Sequence, residues 1–207
     1  MSPVERLVRD AASLQVVLTE EDAARLLALL EELSRWNRSY NLTGIATPAD
    51  MVTHHLLDSL AISPDLEGTR IADAGTGAGF PGLPLAVCNP QRQFTLIDAT
   101  AKKIHFVRHA AQRLRLTNVS AVHARVEALR PDAPFDTVVT RAFAPLPRML
   151  AKVATLCGTG TRVLAMKGKW PAQELAALPA PWRVVASREL TVPGLSAARC
   201  VIALERE

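Results

Sequence analysis

No stretch of this 207-residue chain approaches the roughly eighteen consecutive apolar residues that a membrane span needs. The opening segment, MSPVERLVRDAASLQ, carries charges at Glu5, Arg6, Arg9 and Asp10, so it lacks the apolar core of a secretory leader. Cysteine is scarce. Cys88, Cys157 and Cys200 lie far apart and form no C-x-x-C, which argues against a zinc ribbon or a disulfide framework and fits a reducing cytoplasm. The N-x-[ST] matches at Asn37, Asn41 and Asn118 therefore carry no meaning as glycosylation sites. No internal repeat and no low-complexity tract is present, and nothing matches the Walker pattern G-x-x-x-x-G-K-[ST].

Acid is missing from two tracts. Between Asp98 and Glu127 there are six Lys and Arg and no acid, and from Arg141 to Lys169 there are six more, again without acid. The net charge of +4 hides this asymmetry: residues 1–69 balance at −6 and residues 70–207 at +10. Two basic tracts in one half point to a polyanionic partner, although a solvated basic surface has the same composition. The chain length suits one domain or one domain with an added subdomain, and 49% apolar residues suffice for a sizeable core.

The first third reads as helical. Thr19 is placed as an N-cap with Asp22 three residues on, and Leu26, Leu29, Leu30, Leu33 and Trp36 recur at helical spacing. Thr47, Pro48 and Asp50 repeat the start signal before the stripe Val52, Leu56, Leu60. From Arg70 short apolar runs alternate with helical stretches. Strands are expected near 70–74, 93–98, 119–123, 135–140, 162–167, 182–188 and 198–204, with helices near 81–88, 101–115, 146–156 and 171–178. Such alternation predicts an α/β fold with a mostly parallel sheet covered on both faces. The last two strands have no helical pattern between them and suit a hairpin through TVPGLS. A helical extension over 1–66, packed on a core over 67–207, is the expected organisation.

The segment RIADAGTGAGFPGLPL has two registers. Gly77 to Gly82 fits the dinucleotide pattern G-x-G-x-x-G, whereas Asp73 to Gly79 spells D-x-G-x-G-x-G. Pro81 removes a backbone donor that a pyrophosphate would need, Phe80 is bulky for that turn, and Asp73 repels phosphate while attracting a cation. These features favour S-adenosyl-L-methionine over NAD, held by Gly75, Gly77, Gly79 and Phe80. In an open parallel sheet the ligand sits beyond the strand ends. Asp98, ending the second strand, is then placed to bind the ribose. Val126 and Glu127 after the third lie along the adenine, and Arg141 after the fourth lies beside the methyl group or the cofactor carboxylate. Lys102, Lys103, Arg113, Lys167 and Lys169 are candidate RNA contacts. His54 and His55, followed by Asp58, invite a metal reading. Adjacent helical residues point about 100° apart, so packing or RNA contact is the better expectation.

WNRSYNLTGI, HHLLDSLAI, IADAGTGAGFPGLPLA, RAFAP and MKGK together resemble, in order, the bacterial RsmG/GidB family. The resemblance runs from about Trp36 to Lys169. It implies a class I, Rossmann-like methyltransferase with a seven-stranded sheet and an N-terminal helical extension. The implied reaction transfers the S-adenosyl-L-methionine methyl group to N7 of one guanine in 16S ribosomal RNA near the decoding site. Gly75 and Phe80 match the family's cofactor loop, Val126-Glu127 its adenine-side pair, and Arg141 its arginine after strand four. RAFAP stands where RAVA is expected and DATAKK where D-S-L-x-K-R is common, so Ala99 and Thr100 inherit no role. Guanine N7 carries a lone pair and no proton, so its methylation needs placement rather than a general base, and no metal. The expected partner is the RNA or the small subunit, met by a cytoplasmic monomer. The rivals are an NAD-dependent oxidoreductase and an RNA-binding protein without turnover.

Overall fold

A computed structural model describes residues 1–45 and 47–206. Helices α1 (Pro3–Ala12) and α2 (Glu20–Tyr40) are followed by a third helical stretch in three parts: α3 (Pro48–Met51), a π-helix (Val52–Leu57) and α4 (Asp58–Leu60). The caps at Thr19 and Thr47 form as expected, each hydroxyl accepting the backbone N–H three residues on. Helix α1 is an addition to the expected elements. Ser2 and Glu5 make a full capping box before it, with Pro3 in its first turn. Leu7 and Ala11 are the residues it buries.

The remainder is β1 (Arg70–Ala74), α5 (Gly82–Cys88), β2 (Gln93–Asp98), α6 (Ala101–Arg113), β3 (Val119–His123), β4 (Thr137–Arg141), α7 (Leu146–Val153), β5 (Arg162–Lys167), α8 (Ala172–Ala176), β6 (Trp182–Glu189) and β7 (Cys200–Arg206). The strands form one seven-stranded sheet in the order β3-β2-β1-β4-β5-β7-β6. β1 to β5 run parallel; β7 lies antiparallel between β5 and β6, so the expected hairpin is present. Element ends shift for local reasons. β4 starts at Thr137, and just before it the Asp136 carboxylate accepts the N–H groups of Thr69 and Arg70. α6 stops at Arg113, and Arg115 turns left-handed at φ 52°.

Side chains alternate across the strands. Ile71, Leu96, Val139 and Leu164 face one apolar layer; Ala72, Ile97, Val138 and Val163 face the other. The first layer also contains Leu7, Leu26, Leu29, Leu33, Leu56 and Leu60, so the N-terminal helices share a core with the sheet. Each such fully buried leucine contributes about 1.5–3 kcal/mol. Among the described residues no helix is long and apolar enough to cross a membrane.

Candidate cofactor and substrate site

The sheet order reverses between β1 and β4, and both strands point their C-terminal ends at the same rim. That is where a parallel sheet opens a crevice. The glycine loop leaves β1 there. Gly75 and Thr76 donate their N–H groups to the Ile97 carbonyl, which folds the loop over the end of β2. Gly75, Gly77 and Gly79 all have positive φ, at 77°, 61° and 91°. A Cβ on Gly75 would lie 2.5 Å from the Phe143 ring, whereas nothing lies within 4 Å of one on Gly77.

Asp73 departs from its expected role. Its carboxylate is buried beneath the loop, where Oδ2 accepts the Thr76 hydroxyl at 2.6 Å and the Gly82 N–H at 2.8 Å. Burial pushes its pKa up to about 6, against the lowering effect of those two bonds. The acid is thus a brace from β1 to the start of α5. Its Oδ1 is buried and has no hydrogen-bond partner. The dinucleotide register fails here for the same reason: Pro81 caps α5 and the Gly82 N–H is already taken by Asp73. A Cβ on Gly82 would lie 2.7 Å from both Asp73 Oδ2 and Leu96 Cγ, so this glycine serves close helix–strand packing.

A crevice of about 310 Å³ opens beyond Gly75. Asp98, Lys103, Val126, Glu127 and Arg141 line it, as do Thr100, Arg125, Phe143 and Lys152, which no motif flagged. Asp98 is fixed at the end of β2, its Oδ2 accepting Gly77 N–H at 3.0 Å and its Oδ1 accepting Thr100 N–H at 2.8 Å. Gly77, Gly79 and Phe80 lie outside the lining. Phe80 is buried, its ring stacked on His55 at 4.6 Å between centroids, and Arg141 lies over the ring at 5.9 Å. Its bulk supports Arg141 from below rather than walling the crevice. His55 is held neutral: burial first, then the positive charges of Arg141 and His54, lower its pKa to about 4.

Arg141 borders a second crevice of about 420 Å³, between the N-terminal extension and the rim, lined also by His54, Asp58, Met166, Lys167 and Arg199. The two crevices share Arg141 and Ala142. Arg141 Nη1 donates to the His54 carbonyl at 2.9 Å and to Asp58 Oδ2 at 3.3 Å, and Arg199 Nε donates to Asp58 Oδ1 at 3.0 Å. Neither Asp58 nor Arg199 was named as a site residue. Arg199 precedes β7, and because β7 is antiparallel to β5, with Cys200 opposite Lys167, its start lands on the same rim. Following the TVPGLS hairpin to its end would have placed it.

The basic candidates divide. Lys103 faces the cofactor crevice, 4.0 Å from Asp98. Lys102 lies on the outer face, donating to the Tyr40 carbonyl. Arg113 reaches across to Glu32 of α2 at 3.4 Å and ties core to extension. Lys167 is taken up internally by Glu174 Oε2 at 2.7 Å and the Ala144 carbonyl at 3.1 Å, while the same Glu174 oxygen accepts Leu146 N–H. That lysine ties Glu174 to the RAFAP loop. Lys169 is exposed beyond β5. Among the described residues no group of three or more His, Cys, Asp or Glu is arranged to hold a metal.

The fold is shared with solved methyltransferases. A structure of TrmN from Thermus thermophilus superposes with a TM-score of 0.58 at 21% identity, covering 84% of this chain and 53% of that one. A SAM-dependent methyltransferase from Aquifex aeolicus gives 0.57 at 18%, covering 75% and 93%. At the sequence level the likeness is much closer. The chain is 48% identical over 184 residues to the ribosomal RNA small subunit methyltransferase G of Aeromonas salmonicida, covering 89% of this chain and 88% of that one. It is 46% identical over 203 residues to that of Pseudomonas paraeruginosa, covering 98% and 95%. The family model described as rRNA small subunit methyltransferase G matches residues 22–202, and the chain belongs to that family, GidB.

Proposed function

We propose that the chain transfers the methyl group of S-adenosyl-L-methionine to N7 of a specific guanine in 16S ribosomal RNA, near the decoding site. The observation that carries this reading is the meeting of two crevices at Arg141, one lined by Gly75, Asp98, Val126 and Glu127 and one bordered by the basic rim. The residues present fit the cofactor. Gly75 keeps the crevice floor free of a side chain, and Asp98 stands at a ribose position. Val126 and Glu127, on the same lining, would hold the adenine.

When bound, S-adenosyl-L-methionine supplies an electrophilic methyl group on a sulfonium. Residues of this chain do the placing. Arg141, braced by Asp58, His54 and Phe80, sets where the base meets the cofactor crevice. N7 attacks through an in-plane lone pair, so no side chain has to accept a proton, and a near-linear approach at about 3–3.5 Å suffices. His55, neutral across the physiological range, is a packing residue in this scheme. N7 lies on the major-groove edge, which A-form RNA buries, so the target guanine must be presented in a loop, an opened helix or an assembled subunit.

Residues 1–66 act here as an extension that completes the substrate crevice of the 67–207 core. The protein works as a cytoplasmic monomer without a metal. Among the candidate lysines Lys102 and Lys169 are exposed, and they are the proposed contacts to RNA phosphates. The test is transfer of a radiolabelled methyl group to small-subunit RNA or intact subunits, with Gly75→Asp as control. Label in guanine with the native chain and none with the variant supports the reading. Cofactor binding with no transfer to either substrate would favour an RNA-binding protein without turnover.

A further inference from the structure

Among the described residues Asp58 is the one acid lining the substrate crevice, and it is only 3% exposed. Both of its oxygens are engaged, by Arg199 Nε and by Arg141 Nη1. Arg199 Nη1 donates to the Ala198 carbonyl at 2.9 Å. Among the described residues nothing hydrogen-bonds Arg199 Nη2, while the side chain is 22% exposed and lines the crevice. Two of its five N–H donors are thus spent on the protein.

We infer that Arg199 reads O6 of the target guanine in this crevice, and that Asp58 is a positioning residue which aims it. The inference rests on the guanine-N7 reading and adds what selects the base. An arginine normally grips guanine with two donors, one to O6 and one to N7. That grip would block the atom to be methylated. With Nε held by Asp58 and one Nη1 N–H by Ala198, Nη2 is the nitrogen with no protein partner among the described residues, and a single bond from it to O6 leaves N7 free. Adenine presents an amino donor where guanine presents O6. It would face a guanidinium donor here, and among the described residues the crevice has no uncommitted carboxylate to receive that amino group. The selecting acid comes from the start of α4, so the extension contributes to base choice as well as to the wall of the site.

The experiment compares small-subunit RNA carrying guanine or 2-aminopurine, which lacks O6, at the mapped target position. The full-length native chain is measured beside Arg199→Ala, Arg199→Lys and Asp58→Asn, with kcat and KM for methyl transfer and Kd for S-adenosylhomocysteine. The native chain is expected to lose about 10- to 100-fold in kcat/KM when O6 is removed, the usual size of one base contact. Arg199→Ala should lose a similar factor on guanine and no further factor on 2-aminopurine. S-adenosylhomocysteine affinity should stay within about twofold. Asp58→Asn should show the same blunted discrimination with charge retained on Arg199. Should Asp58→Asn fail to fold, Arg199→Lys, which keeps the charge and loses the Nε bond, stands in for it. Equal additional losses on 2-aminopurine in native and variant chains would overturn the inference while leaving the guanine-N7 reading intact. Absence of any transfer to guanine by the native chain would instead remove the reading beneath it.

Discussion

Asp73 Oδ2 lies 2.8 Å from the backbone nitrogen of Gly82, and the same oxygen accepts the Thr76 hydroxyl at 2.6 Å. One buried carboxylate therefore closes the glycine loop on itself and stitches β1 to α5. The contact also explains why the last glycine is a glycine: a methyl group there would press on that oxygen and on Leu96. Gly82→Ala is expected to destabilise the chain by about 1–3 kcal/mol through overpacking, read as a lowered urea midpoint with unchanged slope. A midpoint equal to that of the native chain would mean that α5 is free to move away from β1.

The pH dependence of stability contains two opposed contributions. Asp73, raised to about 6 by burial, keeps a proton in the folded state that the unfolded chain releases near 4. It favours folding at the acid end, and that contribution is lost as pH rises through 6. His55 is lowered to about 4, so the unfolded chain takes up a proton below about 6.5 that the folded chain refuses. Its contribution is present above 6.5 and is lost as pH falls toward 4. Each shift spans roughly two pH units, on the order of 3 kcal/mol, and over the shared window they offset. Asp73→Asn removes the first alone. The stability difference between variant and native chain should therefore shift in the variant's favour as pH rises from 4 to 6. A difference that stays constant over that window would show Asp73 ionising in the ordinary carboxylate range.

Two glycines of one loop should behave differently. Gly75→Ala places a Cβ within 2.5 Å of Phe143 at the crevice mouth, at a φ of 77°. Gly77→Ala meets only open space, at a φ of 61°. The second change costs about 1–2 kcal/mol of backbone strain and is expected to leave S-adenosylhomocysteine binding nearly intact. The first should weaken that binding at least tenfold by titration calorimetry. Equal affinities for the two variants would remove Gly75 from the cofactor floor.

Adjacent lysines should separate by readout. Lys102 lies on the outer face and Lys103 in the crevice near Asp98. Lys102→Ala is expected to flatten the dependence of RNA affinity on salt by about 0.7–0.9 in log–log slope without touching S-adenosylhomocysteine affinity. Lys103→Ala should weaken S-adenosylhomocysteine binding and leave the salt slope nearly unchanged. The reverse pattern would place the RNA face on the other side of α6.

The internal pair Lys167–Glu174 gives a further test. Lys167→Met removes the ammonium that joins Glu174 to the Ala144 carbonyl. Methyl transfer is expected to fall about tenfold or more through a loosened RAFAP loop, with an unchanged salt slope for RNA. A flattened slope would return Lys167 to the phosphate contacts.

Much of this was legible in the residues. Alternation of short apolar runs with helices fixed the seven strands, because strands buried on both faces must read as apolar. Pro81 and Asp73 pointed away from a dinucleotide by simple chemistry. The partners of those groups were hidden. That Asp73 would turn beneath the loop depends on contacts three and nine residues on, and that Phe80 would turn inward against His55 depends on packing between segments 25 residues apart. Lys167 read as a phosphate contact because its neutralising Glu174 lies on a different element, α8. Asp58 and Arg199 are separated by most of the chain, and no local pattern joins them. Helix α1 is the reverse case: Ser2, Pro3 and Glu5 spell its start outright.

The central claim is that the crevice at Gly75, Asp98 and Arg141 delivers a methyl group to N7 of a guanine in small-subunit RNA. The direct measurement is methyl transfer from labelled S-adenosyl-L-methionine to small subunits and their naked RNA, with the modified base identified after digestion. The account predicts labelled 7-methylguanine at a single position, a rate that shows no requirement for a titrating base, and no labelled product from the Gly75→Asp variant. Label on another atom or another base, or transfer that persists unchanged in that variant, would contradict it.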